Sequence, residues 1–324
     1  MNPRQKNTLA SPFLWDLFCT VSIVGIWPRF IEPRLILTTH KNLPIRNLPK
    51  ELYNLKILQI SDLHFHYQTS PSFLNQLIDK CQKLRPDLIV FTGDFLCYSQ
   101  LEEPERLKTF LGRFDAPYGC YAVLGNHDYA SFVSVNGQGD YDLIEPSTAS
   151  SLSRAFSRLQ TTITLTKHTT ERARATPLHI DLLSLLEDTP FQVLHNSTRA
   201  ISIKGTKLNI CGLGEHTVGK MDPQTAFSTY NKEYPGIILL HNPDGAPHLR
   251  DYPGDIILSG HTHGGQVNLP WMWKKFTTLE NMHFQKGLIK CDDKWLYVNR
   301  GLHSVLPFRW FSPPEILSLT LVST

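Results

Sequence analysis

No cysteine pair with metal-ribbon spacing occurs in this chain. The six cysteines, Cys19, Cys81, Cys97, Cys120, Cys211 and Cys291, are scattered without a C-x-x-C among them. That excludes a zinc ribbon, offers no small disulfide framework, and fits reduced thiols in a cytosolic compartment. Strong charge of either sign is missing as well. A formal charge of +3, with charged residues at 19%, is too weak to announce a nucleic-acid partner. There is no G-x-x-x-x-G-K-[ST] loop for a nucleoside triphosphate, and Gly212-x-Gly214 is too short for a dinucleotide fingerprint. Internal repeats, low-complexity tracts and disordered composition are absent too. What remains is an ordinary globular composition, 41% hydrophobic over 324 residues, enough for one large domain or two of ordinary size.

One long apolar run stands out, residues 12–27 (PFLWDLFCTVSIVGIW). A bilayer core asks for roughly 20 apolar residues, with about 17 as the lower limit, so the run is slightly short for a span. It can span, lie in the interface or serve as a signal core. A cleaved signal is disfavoured because the run leads into Trp27, Pro28, Arg29 and Phe30 rather than small residues. Arg4 and Lys6 precede it, whereas Arg29, Arg34, Lys41 and Arg46 follow. By the positive-inside bias the remainder of the chain is expected on the cytoplasmic side of the inner membrane. The plain alternative is a buried helix of a soluble domain. Residues 1–50 are therefore read as apolar segment plus Pro-punctuated connector, and 51–324 as the catalytic domain.

From residue 55 onward, short β-rich runs alternate with helical spacing. Strands are expected over 55–60, 87–92 and 119–124, with helices over 71–84 and 103–114, which argues for a layered α/β domain. The pattern changes over 129–190, which is read as an insertion folding into a cap or lid, since a structureless loop of that length is improbable. Strands resume over 191–194, 200–203, 208–212, 236–241 and 255–259, and the tail segments 295–299 and 316–322 are expected to complete a second sheet.

Five loops hold nearly all the suggestive residues: Asp62-Leu63-His64, Gly93-Asp94, Gly125-Asn126-His127-Asp128, His241-Asn242 and Gly260-His261-Thr262-His263. Each follows an apolar run, and in layered α/β folds ligands collect at the carboxyl ends of strands. Carboxylate, amide and imidazole donors without thiolate suit hard and borderline divalent ions such as manganese, iron, zinc or magnesium. Singly, a histidine at a strand end is more often a hydrogen-bonded structural residue. Together, D-x-H, G-D, G-N-H-D, a strand-terminal histidine and G-H-T-H occur in an order that closely resembles the calcineurin-like metallophosphoesterases. The resemblance covers 55–321. Gly264-Gly265-Gln266 and Pro313-Pro314-Glu315-Ile316 look like the subgroup related to membrane-associated bacterial phosphoesterases.

That resemblance implies a four-layer α/β/β/α sandwich of two mixed sheets. It implies two divalent ions, manganese first, with Asp62, His64 and His263 holding one and Asn126, His241 and His261 the other. Asp94 would bridge them, one oxygen to each, at a metal separation of about 3.5–4 Å. Coordination lowers the pKa of a shared water toward about 7, which makes a nucleophile available without a side-chain base. His127 would reach the phosphate, steadying charge or protonating the leaving oxygen. Asp128 would hydrogen-bond the other ring nitrogen of His127, its plainer reading being a helix cap. Phe132, Trp271, Trp273 and Arg309 are the candidate substrate contacts; His66, His168, His179, His195, His216 and His248 match no ligand position. The subgroup points to an amphiphilic nucleotide-lipid as substrate, a UDP-linked diacylglucosamine of lipid A biosynthesis, at a membrane surface, with no nucleic acid. A phosphodiesterase or phosphatase acting on another membrane lipid is the alternative, and a non-catalytic metal-binding scaffold the alternative of another class.

Overall fold

The computed structural model describes residues 12–161, 163–270 and 272–323. It begins with α1 (Pro12–Val21), which continues as a wider π-helical stretch over Ser22–Ile31 and a tight turn over Glu32–Arg34. Pro28 lies inside the rod, where it has no N–H to donate. The backbone passes it by widening, and Glu32 N–H donates five residues back to Trp27 O. The helical rod is therefore longer than the apolar run 12–27. Leu14–Arg34 is 21 residues long; its most apolar stretch of 18 residues has mean hydropathy 1.4, and only 6% of that stretch is buried.

The Pro-punctuated connector is not all loop. Residues Leu37–Ile45 form β1, an edge strand parallel to the last strand of the chain. An edge tolerates Pro44, whose missing N–H faces no partner strand. There follow β2 (Lys56–Ile60), α2 (Pro71–Leu84), β3 (Leu88–Thr92), α3 (Pro104–Leu111) and β4 (Cys120–Val123). Next come a hairpin of β5 (Val133–Val135) and β6 (Tyr141–Leu143), then α4 (Ser151–Gln160), α5 (Glu171–Ala175), α6 (Ile180–Glu187) and β7 (Phe191–Val193). The second half holds β8 (Ser197–Ile203), β9 (Thr206–Gly212), α7 (Pro223–Ala226), β10 (Gly236–Leu239), β11 (Ile256–Ser259), β12 (Gly287–Cys291), β13 (Lys294–Val298) and β14 (Glu315–Ser323).

Two six-stranded mixed sheets result, ordered β1-β14-β2-β3-β4-β7 and β12-β13-β11-β10-β9-β8. The tail segment 316–322, expected in the second sheet, instead enters the first as β14, antiparallel to β2 and parallel to β1. Period-two alternation makes the layers. Ile57, Val90, Val123 and Leu319 face the second sheet and meet Ile237 and Leu258 in the inter-sheet core. Leu58, Ile89 and Phe91 face outward onto α2, α3 and α6, where Phe73, Leu77, Leu107 and Leu186 cover them. Leu77→Ala in that layer would cost about 2–5 kcal/mol. The outer face of the second sheet has a thinner cover: α7 and the turn Pro243–Leu249 lay Ala226, Ala246 and Leu249 on Ile238 and Ile257. The chain is thus a four-layer α/β/β/α sandwich. Within the stretch 129–190, α6 packs against α3 and β7 as part of the outer helix layer.

The sheets are tied where the site lies. Gln59 Nε2, fully buried, donates to Thr92 Oγ1 and to Ser259 O of the facing sheet, 2.9 Å each. The carboxyl ends of β2, β3 and β11 are thereby held side by side.

Candidate metal centre

All seven candidate ligands leave the carboxyl ends of β2, β3, β4, β10 and β11 and point into one crevice. Five of them turn there through the left-handed backbone region: Asp62 (φ 53°), His64 (42°), Asp94 (61°), His261 (69°) and His263 (51°). That conformation costs a non-glycine residue of order 1 kcal/mol or more, and such costs concentrate at functional sites. Cross-loop hydrogen bonds hold it: Asp62 N to Gly93 O at 2.9 Å, His64 N to Asp94 O at 3.0 Å and His261 N to Asp62 Oδ1 at 3.0 Å. Gly125 lets the β4 loop close on the β3 loop, because a Cβ there would stand 2.1 Å from Asp94 Oδ1.

The second hydrogen bonds of the side chains fix which atom faces the crevice. His64 Nδ1 reaches Leu96 O at 3.2 Å and His241 Nδ1 reaches Thr92 O at 2.6 Å. A carbonyl can only accept, so both Nδ1 atoms carry a proton and it is the Nε2 of each ring that faces the crevice. Asn126 Nδ2 donates to Val133 O at 2.8 Å, which turns its Oδ1 inward, 3.1 Å from His261 Nδ1. His64 Nε2 lies 3.3 Å from His263 Nε2, and His261 Nδ1 3.2 Å from His241 Nε2.

These atoms form two adjoining cages. Asp62, His64 and His263 bring ligand atoms within 4.8 Å of one another, as do Asp94, His241 and His261. Asp94 stands between them, but not as one oxygen per cage. Its Oδ2 is 3.5 Å from His64 Nε2 and 3.3 Å from His241 Nε2, while Oδ1 accepts the His127 N–H at 3.0 Å. A single oxygen faces both cages.

Asp62 and Asp94 are 0% and 1% exposed, and among the described residues neither has a lysine or arginine in ion-pair range. Two buried carboxylates without a fixed countercharge are costly. Burial pushes Asp62 up to about 7, with His241 opposing. Burial would raise Asp94 too, but His241, His127 and His64 hold it well below the usual carboxylate range. Correspondingly, Asp94 lifts His241 well above an ordinary histidine against the effect of burial. Burial and neighbouring imidazoles drive His64 and His263 well below 6.5 and His261 down to about 3. Converging lone pairs, mostly neutral imidazoles and excess buried negative charge are what divalent cations require of a donor set.

The expected pairing of Asp128 with His127 is not made. The Nδ1 of His127 accepts the Tyr98 N–H at 2.8 Å, so in the neutral ring the proton sits on Nε2. Burial lowers its pKa to about 4, with Asp94 opposing. Asp128 is not its partner. Its Oδ2 accepts from Asp94 N at 2.7 Å and Gly125 N at 2.9 Å, and its Oδ1 from Leu96 N at 3.0 Å. Asp128 thus staples the β3 and β4 loops together and does not set the His127 tautomer. A ring nitrogen of His127 also lies within 4.8 Å of donor atoms of His64 and Asp94.

A cavity of about 460 Å³ opens over the cages, lined by Asp94, His127 and Phe132 among others. Phe132 packs against His127, the rings tilted by 40° with centroids 4.2 Å apart. Trp273 packs next to Gly265 outside the lining, and Phe276 of the same run lines the cavity instead. Trp271 lies outside the described residues. Arg309 is 1% exposed, and its guanidinium is taken up by Arg300 O, Ser312 O and His303 O. It therefore buttresses the loop behind Asp62 and is not part of the lining of this cavity. Of the histidines set aside, His195 bonds Tyr129 and His216 bonds Glu280. Sequence reading missed Arg154 and Arg158, which α4 presents to the cavity; their i, i+4 spacing in an otherwise Ser-rich helix was the available signal. It also missed Tyr98, which nothing local marked.

Comparison with known proteins agrees with this geometry. The chain is 42% identical to the UDP-2,3-diacylglucosamine pyrophosphatase of Chlamydia trachomatis, over 91% of this chain and 92% of the relative. It is 41% identical to the protein of the same name from Chlamydia muridarum, with the same coverage. A phosphodiesterase of Escherichia coli is 24% identical over 82% of each chain. Family and donor set together indicate divalent metal ions. Residues 55–265, the span that carries every ligand loop, match the family model for calcineurin-like phosphoesterases, and the chain belongs to that family.

Proposed function

We propose that this chain hydrolyses the pyrophosphate of UDP-2,3-diacylglucosamine to UMP and 2,3-diacylglucosamine 1-phosphate, using two divalent ions, manganese first, at the cytoplasmic face of a membrane. The carrying observation is the 42% identity over nearly the whole length of both chains to a pyrophosphatase of that specificity. The long exposed apolar rod followed by Arg29, Arg34, Lys41 and Arg46 supports the membrane placement.

Asp62, His64 and His263 would hold one ion and Asn126, His241 and His261 the other, with Asp94 Oδ2 between them. Bound there, the pair supplies Lewis-acid polarisation of phosphoryl oxygens and a water acidic enough to attack near neutral pH. The chain's own residues do the rest. The new bond joins water oxygen to the α-phosphorus, the water's protons pass to solvent, the bond to the bridging oxygen breaks, and that oxygen leaves with the sugar phosphate. A phosphate monoester has its second pKa near about 6, so the leaving group needs no proton at pH 7. His127 is therefore assigned charge stabilisation, its neutral Nε2–H donating to a phosphoryl oxygen. Arg154 and Arg158 bring positive charge to the same cavity, and Phe132, Phe276 and Leu306 give it an apolar side for the acylated sugar.

Incubation with the UDP-linked diacylsugar and manganese should release UMP stoichiometrically, and chelation should stop it. No UMP alongside hydrolysis of an unrelated lipid phosphodiester would replace this reading with the phosphodiesterase one. No hydrolysis of any phosphoester, with metal bound, would leave a scaffold.

A further inference from the structure

A second cavity, of about 440 Å³, lies between the last turns of the N-terminal rod and the body. Arg29, Phe30 and Arg34 wall it from the rod, and Phe73 and Phe308 from the body. No aspartate or glutamate is among its lining residues. The arginine ion pairs of the described residues involve Arg106, Arg250 and Arg300, not Arg29 or Arg34. Arg29 Nη1 donates to Pro307 O at 2.7 Å and Arg34 Nη1 to Phe30 O, which leaves most donors of both guanidinia uncommitted. His303, whose Nδ1 has no hydrogen-bond partner, stands in the same wall. Cationic donors over an aromatic floor, with no acid, match an anionic head on an acyl body.

The cavity also adjoins the metal centre. Arg154 and Val305 line both cavities. The backbone behind the second one is bonded to the ligand loop: Leu302 N donates to Ser61 O at 2.9 Å and His303 N to Asp62 O at 2.8 Å. An occupant that fixes this wall fixes the support of Asp62.

We propose that this cavity is a second lipid site. It seats the phosphate of an anionic bilayer lipid between Arg29, Arg34 and Arg154, with the adjoining glycerol and acyl carbons against Phe30, Phe73 and Phe308, and its occupancy raises turnover at the metal centre. The proposal rests on the reading that the rod anchors the chain in a membrane.

Two measurements on the full chain test it. Native mass spectrometry of protein offered equal phosphatidylglycerol and phosphatidylcholine should show one retained phosphatidylglycerol. The double variant Arg29→Ala/Arg34→Ala should lose it. Lys41→Ala/Arg46→Ala, which removes the same charge from exposed positions outside the cavity, should keep it. Equal loss in both variants would reduce the effect to diffuse attraction and overturn the site. In lipid nanodiscs with manganese, hydrolysis of the diacylsugar substrate or of a soluble aryl phosphodiester should be about fivefold faster with phosphatidylglycerol than with phosphatidylcholine, the low end of ordinary coupling between sites. The readout is the ratio within one preparation, so a variant's own basal rate divides out. A ratio of one for the wild type defeats the lipid site alone, and so does glycerol 1-phosphate reproducing the response in neutral discs. A chain that enters neither disc defeats the anchoring reading and the lipid site with it.

Discussion

Gly125→Ala isolates the tightest contact of the metal centre. Gly125 has no left-handed backbone, so alanine is conformationally permitted there and the whole effect is steric. The new Cβ would stand 2.1 Å from Asp94 Oδ1 and 2.6 Å from Asp94 N, where ordinary contact begins at 3.4 Å. Relief needs a movement of more than an ångström, either of the Asp94 carboxylate or of the loop. Asp94 cannot swing freely, since Oδ1 holds the His127 N–H and Oδ2 faces His64 and His241. The loop cannot withdraw freely either, since its Asp128 carboxylate holds the Asp94 and Leu96 N–H groups of the facing loop. Overpacking of this kind costs about 1–3 kcal/mol of stability. Displacing a group that positions the reaction by about 1 Å costs roughly a hundredfold in rate. The assay is kcat/KM for UMP release at saturating manganese, with bound metal per chain and the thermal midpoint measured on the same preparation. Gly137→Ala, with nothing within 4 Å of its new Cβ, is the control. A Gly125→Ala protein with wild-type turnover and full metal content would refute the close approach of the two loops.

His127→Ala should lower turnover by about a hundredfold or more at unchanged metal content; arrival without metal, measured by elemental analysis, would make His127 a ligand of the cage it adjoins. The bond between His216 and Glu280 should give a pH window. Burial works against the His216 cation, but Glu280, Glu215 and Asp244 hold its pKa above 6.5, so its contribution is complete below 6.5 and fades as pH rises through the raised value. Burial would raise Glu280, but His216 and Tyr141 hold it below 4.5, so its contribution is complete above 4.5 and fades as pH falls through the depressed value. Urea unfolding should therefore show Glu280→Gln about 1–3 kcal/mol less stable than wild type near pH 6 and much closer to it at pH 9; a difference independent of pH would contradict the pairing. Removing residues 1–26 should move the protein to the soluble fraction with turnover of a soluble phosphodiester kept, because the clamp at Trp27, Pro28, Arg29 and Glu32 survives; undiminished membrane recovery would place the anchor elsewhere.

The ligand loops were legible in the sequence because each is local, a strand followed within two to four residues by its donors. What the sequence hid was nonlocal. Leu37–Ile45 reads as a connector because an edge strand with Pro44 lacks the buried alternation of β2 or β3. The last strand shows its β character in 316–322, but nothing local says that it inserts between β1 and β2. Asp128 follows His127 in sequence, which suggested a pair, yet its carboxylate turns back to backbone N–H groups of two loops. Arg309, flanked by Phe308 and Trp310, reads as a phosphate ligand; it is buried instead, with three of its five N–H donors taken by the carbonyls of Arg300, Ser312 and His303.

On the membrane placement proposed above, the join between the rod and the body would decide how this molecule searches for its substrate. Arg309 N donates to Pro28 O, Arg29 to Pro307 O, and Ser312 N to the buried carboxylate of Glu32, which also takes the Trp27 indole N–H. These bonds leave little slack between rod and body. With the rod in a bilayer, the crevice is carried at a fixed height and tilt and cannot dip toward solutes in the bulk. Encounters are then confined to two dimensions and set by lateral diffusion, so the quantity that governs flux is substrate per unit area of membrane, not per unit volume of cell.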